Sequence, residues 1–189
     1  MHYEFLKELN YIKDEKIRSS LAKILDLLPD YFYTIPASST GKYHPKFALN
    51  EKGLVRHTKV AVRIAYELFN DSSICNFTEH EKDLIIFALT VHDGLKCGIE
   101  KNTYTQFDHP LLISKFIKDN KNMLLLNDSE IEFICECVET HMGPWTKDYN
   151  GNEVLKEPKS KYQRFVHMCD YLASRKFLNV EFVNNNIED

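Results

Sequence analysis

Six side chains in this sequence have the chemistry of metal ligands: His57, His92, Asp93, His109, His141 and Asp170. Imidazole nitrogens and carboxylate oxygens bind Mn, Fe, Co, Ni or Zn with no need for sulfur. Two of the six sit in apolar surroundings. Asp93 follows the run "LIIFALTVH", and Asp170 lies inside "FVHMCDYLA". An unpaired buried carboxylate costs several kcal/mol, about the effective penalty for desolvating an ion, and a bound cation would relieve both. Four histidines and two aspartates exceed what one metal with an open position needs. They match two metals sharing a bridging carboxylate, an arrangement that generates a hydroxide and clamps a phosphoryl oxygen. Lys96 follows His92 by four residues and Asp93 by three, so it shares their helical face. It brings a cation to pair with Asp93 or to meet a phosphate. The competing reading is a hydrogen-bonded His/Asp network with a purely structural role.

These residues require a set of converging helices. Most long segments read at helical period, and strand-like alternation is nearly absent. Residues 3–28 predict one or two helices with Leu6, Leu9, Ile17, Leu21, Ile24, Leu25 and Leu28 on one face, stopped by Pro29. A helix from about Leu54 to Phe69 carries His57 and sets Val55, Val62, Ala65, Tyr66 and Phe69 on one side. "TEHEKDLIIFALTVHDG" opens with a capping box, Thr78 and Glu81, and is apolar all round, which predicts a central buried helix. Pro110 starts a helix just after His109. "NDSEIEFICECVETHMG" predicts a helix ending at Gly143, and "SKYQRFVHMCDYLASRKF" predicts the last one. The tail "VEFVNNNIED" reads as a short strand or a frayed end. The expected fold is an all-α, single-domain helical bundle of about seven helices. Residues 1–50 form N-terminal helices and a loop packed on a core spanning 51–178, and 179–189 form a tail.

The loops at 34–50 and 144–159 are long for a compact domain, and long loops often carry function. Lys42 and His44 in the first, with the hydroxyls of Ser38, Ser39 and Thr40, are candidates for phosphate binding; the alternative is a solvated loop. Arg175, five residues beyond Asp170, is a further candidate. Trp145, four residues after His141, could stack on a base or simply pack against the core. His2 and His80 read as surface residues, and His167 as a core residue or a partner to a ligand.

Composition narrows the function classes. Among 189 residues, 24 basic side chains face 28 acidic ones, a net charge of −4, which argues against a broad nucleic-acid footprint. Five cysteines, an odd count without a C-x-x-C pair, point to a reducing compartment, with no disulfide-linked partner and no zinc ribbon. Cys97 and Cys169 are read as buried hydrophobes rather than ligands. The charged amphipathic start is not a signal peptide, and no apolar run approaches a membrane span. A cytoplasmic location is expected.

The ordered set His57, His92–Asp93 and Asp170, each on its own helix, resembles the HD-domain superfamily of metal-dependent phosphohydrolases. The strings that carry it are "GLVRHTKVAVRIA", "VHDGLKCG" and "CDYLASRK", and the likeness runs from about Lys52 to Lys176. His109 and His141 look like the two extra histidines of the binuclear branch, which includes cyclic dinucleotide phosphodiesterases and diadenosine tetraphosphate hydrolases. The Gly-Tyr-Pro signature of the cyclic di-GMP enzymes is missing, and "THMGPW" stands instead. "PASSTGKYHP" before "GLVRH" also resembles HD-type 3′→5′ exoribonucleases, although the oligonucleotide-binding β-domain usual there is lacking.

By resemblance, His57, His92, Asp93 and Asp170 hold one divalent transition metal. His109 and His141, with Asp93 as bridge, hold a second. Asp93 and Lys96 would be the catalytic residues, and the substrate a small nucleotide or short oligonucleotide cleaved at a phosphoester or phosphoanhydride by a metal-bridging hydroxide. The rival readings are a nuclease and a non-catalytic module that senses a nucleotide or scaffolds a partner. Membranes are not expected as partners, and the oligomeric state is left open.

Overall fold

The computed structural model describes residues 1–38, 40–42 and 44–188. Seven α-helices are found among them: α1 Leu6–Leu9, α2 Glu15–Leu27, α3 Gly53–Phe69, α4 Glu79–Val91, α5 His109–Asp119, α6 Asp128–Glu139 and α7 Lys161–Ala173. Short 3₁₀ turns at His2–Phe5, Asp30–Tyr33, Lys46–Ala48 and Lys121–Met123 join them, and two short strands, β1 Phe182–Val183 and β2 Asn186–Ile187, close the chain. This is an all-α single-domain bundle. The proposed phosphate-binding hydroxyl of Ser39 lies outside the described residues.

Start signals in the sequence fix the helix boundaries. Thr78 caps α4 and Glu81 reaches back to the Thr78 N–H at 2.7 Å. The same reciprocal box recurs at Asn127 with Glu130 and at Ser160 with Gln163. Each box satisfies backbone donors that a helix start leaves without partners. Helix α4 runs through the middle, touching α2, α3, α6 and α7, and every residue from Asp83 to Val91 is buried. Its all-round apolar surface has a neighbour on each side, which is why it carries no polar stripe. Helix α5 lies against α6. Among the described residues, no helix is long and apolar enough to cross a membrane.

Several expected faces are corrected. Leu6 is 54% exposed, and Phe5 and Ile12 point inward instead. The phase slips because the segment is broken after Leu9. The buried carboxylate of Asp83 accepts the backbone N–H groups of Lys13 (3.0 Å) and Asp14 (2.8 Å), and Asp14 then caps α2. On α3, Tyr66 turns outward and stacks on Tyr11, with ring centroids 3.9 Å apart, while Thr58 and Lys59 join the buried set. Helix α6 stops at Glu139, not Gly143, so His141 sits in the turn beyond it. Helix α7 stops at Ala173, short of Phe177.

The tail is a two-stranded antiparallel hairpin, with Phe182 opposite Ile187 and Val183 opposite Asn186. Asn184 and Asn185 both take positive φ (50° and 61°), as the tight two-residue turn requires. It is clipped to α3. The ammonium of the buried Lys59 donates to Asn185 O (2.9 Å) and Asn186 Oδ1 (2.7 Å), and Arg56 donates to Asn185 Oδ1 (2.9 Å). Arg56 also donates to the carbonyls of Phe47, Leu49 and Glu51, pinning the loop ahead of α3. The N-terminal segment, the central helices and the tail thus share one hydrophobic cluster.

The inward Phe5 and outward Leu6 make the corrected N-terminal face testable. Phe5→Ala should destabilise by about 3–5 kcal/mol, and Leu6→Ala by no more than about 0.5 kcal/mol, as read from urea unfolding midpoints.

Candidate metal centre

Five separate segments deliver the six side chains. His57 comes from the second turn of α3, His92 and Asp93 from the end of α4, His109 from the first residue of α5, His141 from the turn after α6, and Asp170 from the last turns of α7. The four histidines and Asp93 are buried, and Asp170 is nearly so. Asp93 lies between two groups. Its Oδ2 faces His92 Nε2 (3.5 Å) and His57 Nε2 (3.9 Å). Its Oδ1 faces His109 Nε2 (3.0 Å) and His141 Nε2 (3.7 Å). Asp170 Oδ1 completes the first group, 2.9 Å from His57 Nε2 and 3.4 Å from His92 Nε2. Two overlapping triads, His57–His92–Asp170 and His92–Asp93–His141, each bring their ligand atoms within 4.8 Å of one another.

The ring tautomers explain why these nitrogens are available. His92, His109 and His141 all direct Nδ1 at the carbonyl three residues earlier, that of Leu89, Gln106 and Val138 respectively, at 2.7 Å each. A carbonyl can only accept, so Nδ1 carries the proton and, in the neutral ring, Nε2 presents a lone pair. His109 Nε2 and His141 Nε2 then face each other at 3.1 Å. Two lone pairs at that distance repel unless a proton or a cation stands with them. His92 Nε2 is buried with no hydrogen-bond partner. His57 differs: Nε2 meets Asp170 and the buried Nδ1 has no partner. Four Nε2 atoms and two carboxylates meeting in one buried space, with the His109 and His141 nitrogens only 3.1 Å apart, make a donor set that suits a divalent cation.

The charges are strongly coupled. Burial alone would push the Asp93 carboxyl up, but Lys96 and His92 hold it well below the usual range. Asp170 is likewise held down against burial by His92 and His57. Burial opposes the His92 imidazolium, yet Asp93 and Asp170 raise its pKa to about 10. His141 goes the other way, lowered to about 3 by burial and by the neighbouring His92 and His109. Lys96 Nζ stands 2.6 Å from Asp93 Oδ2 with its side chain 12% exposed, so it pairs with Asp93 while lying at the edge of the cluster.

The candidates for substrate binding scatter more. His44 reaches the centre: its ring lies edge-on to His57, centroids 5.0 Å apart, and burial followed by His57 and Lys96 lowers its pKa to about 3. Lys42 is exposed, with its backbone N–H donating to Thr40 Oγ1. Arg175 lies beyond the end of α7 and folds back, donating from Nε to Tyr171 O (3.1 Å) with its guanidinium over the Tyr171 ring. Trp145 is 52% exposed and does not join the core. His2 and His80 are surface residues, near Asp26 and Glu130. Cys97 and Cys169 are free and buried.

Three further residues support the centre: His167, which the sequence offered as a core residue or a partner, and Gly143 and Tyr31, which carried little signal for this role. His167 Nδ1 donates to His141 O at 2.7 Å and steadies the turn that bears His141. Gly143, with φ +66°, passes so close to His167 that a Cβ there would meet its ring at 2.2 Å. Tyr31 braces the turn after Asp93 from the other side, its hydroxyl donating to Gly98 O (2.5 Å) and accepting from Cys97 N–H (3.3 Å). The run "DYFY" shows aromatic residues without showing their target.

A metal bound through His92 must displace a proton, because the carboxylates raise that ring to about 10 in the metal-free protein. His141, lowered to about 3, is already neutral. Below the His92 value the proton competes with the ion, so Zn²⁺ affinity should rise by about tenfold per pH unit from pH 6 to 8, with about one proton released per His92 engaged. Calorimetry in buffers of different ionisation enthalpy measures that proton; an uptake heat independent of buffer would contradict the assignment. No protein-family model, curated protein or solved structure matches the chain.

Proposed function

We propose that this chain is a metal-dependent phosphohydrolase of the HD-domain type, acting on a phosphate ester or anhydride of a small nucleotide. The observation that carries the reading is the placement of Asp93, with one oxygen toward His57 and His92 and the other toward His109 and His141. A carboxylate between two sets of imidazoles is what a pair of divalent ions would share. His57, His92, Asp93 and Asp170 would hold one ion, and His109, His141 and Asp93 the second. Bound there, such ions activate water near neutral pH and polarise a phosphoryl oxygen.

The chain's own residues supply the rest. The backbone carbonyls of Leu89, Gln106 and Val138 keep three imidazoles in the tautomer that points Nε2 inward. Asp93 fixes Lys96 Nζ at 2.6 Å, so a positive charge stands beside the position of a phosphoryl group whose non-bridging oxygens gain charge in the transition state. His44 borders the same space beside His57 and is held neutral by burial. It is suited to hydrogen bonding with a phosphate and does not add to the charge. The chain's net charge of −4 favours a compact substrate over a long polyanion.

The test is a hydrolysis screen of mono-, di- and cyclic nucleotides and an oligoribonucleotide across Mn, Fe, Co, Ni, Zn and Mg, with metal content measured on the same samples. Activity should require a transition metal, be absent in Asp93→Ala, and fall about 100-fold in turnover in Lys96→Met with metal content retained. Protein that takes up metal and cleaves none of these substrates would refute the reading in favour of a binding module. Cleavage confined to the oligoribonucleotide would replace it with a nuclease.

A further inference from the structure

Trp145 and Tyr171 form an exposed aromatic pair on the segments that carry His141 and Asp170. Their ring centroids lie 6.1 Å apart with planes 19° from parallel, and they remain 52% and 36% exposed. The guanidinium carbon of Arg175 sits 4.0 Å from the Tyr171 ring centroid. His167 touches both rings, with centroids 6.2 Å from Trp145 and 5.9 Å from Tyr171. This cluster is joined to the cation ligands at two points. Tyr171 directly follows Asp170, and His167 Nδ1 donates to the carbonyl of His141. The tight passage of Gly143 over His167 leaves the link little freedom.

We propose that the open face of Trp145, backed by Tyr171 and Arg175, is the stacking site for the base of a nucleotide whose phosphate is held at the His/Asp centre; this rests on the phosphohydrolase reading for the position of the phosphate. An indole presents a large flat face at small conformational cost. Held nearly parallel to the offset Tyr171 ring, which carries a guanidinium on it, the indole offers a fixed aromatic surface for a heterocyclic base. Stacking of this kind tolerates any base, because every base has a π-face. The preference is therefore for nucleotides over sugar phosphates, with little discrimination among bases.

Trp145 is the single tryptophan of the chain, so its emission reports on this site alone. The full-length, Zn²⁺-loaded protein is mixed by stopped flow with adenosine 5′-monophosphate or with ribose 5-phosphate, and amplitudes are read before turnover. Adenosine 5′-monophosphate should quench the emission and bind at least about tenfold more tightly than ribose 5-phosphate. Trp145→Ala, followed by calorimetry, should abolish that difference with zinc content unchanged, and Trp145→Phe should retain most of it. Equal affinity for the two probes, binding without quenching, or full affinity in Trp145→Ala would overturn the proposal. So would emission that shifts with protein concentration alone, since the pair would then be covered by a second copy. Metal-dependent hydrolysis of ribose 5-phosphate with no preference for the nucleotide would sink the stacking site and leave the phosphohydrolase standing. Quenching without hydrolysis would do the reverse.

Discussion

Asp93 is a full negative charge at the end of a helix that is covered on every side, and the architecture around it answers that one fact. The carboxylate is almost wholly buried, so its charge is balanced by groups the fold itself supplies, Lys96 from the same turn and the raised His92, while the rings of His57, His109 and His141 close around it. Removing the counter-charges from such a group costs about 3–5 kcal/mol. The carboxylate therefore dictates where the other helices end. Helix α5 begins at His109 and α6 gives way just before His141, and both boundaries deliver a ring to Asp93.

Orientation is as tightly specified as position. Three of the four histidines spend their second nitrogen on a backbone carbonyl three residues back, so each ring is fixed by its own helical or turn segment and needs no side-chain partner. This local device frees the surrounding shell for other work. His167 and Gly143 hold the turn of His141 against α7, and Tyr31 clasps the turn after Asp93. Those contacts reach across the bundle, so the rigidity of the centre depends on the packing of α4, α6 and α7 against one another.

The fold class was legible because its signals are local. The Thr78 capping box, the apolar run of α4 and the polar residues embedded in apolar stretches can each be read within a few residues. The faces of the first helices were less legible. Their break is set by Asp83, about 70 positions away, so periodicity alone turns Leu6 inward although it faces water. The tail's local pattern fits a strand or a frayed end equally, and its hairpin depends on Lys59 and Arg56, more than 120 positions earlier. In the centre, the six candidate ligands stood out as charges and imidazoles in apolar context. Tyr171 did not, because an aromatic residue next to Asp170 looks the same in sequence whether it fills the core or lines a rim. Trp145 was ambiguous for the same reason.

His57 and Asp170, in contact at the centre, are 113 positions apart in the chain. No shorter stretch of this polypeptide contains both, and loop closure over that span is completed only when α3 and α7 have docked. A ribosome would have to release the chain through Asp170 before the set of His57, His92 and Asp170 existed, whereas His92, Asp93 and His141 lie much closer together in sequence. An ion captured there would arrive at a finished scaffold, in contrast to small zinc modules whose neighbouring ligands seize the metal and are folded by it. Its contribution to durability would be that of any ligand selecting the native state, growing with the logarithm of free metal.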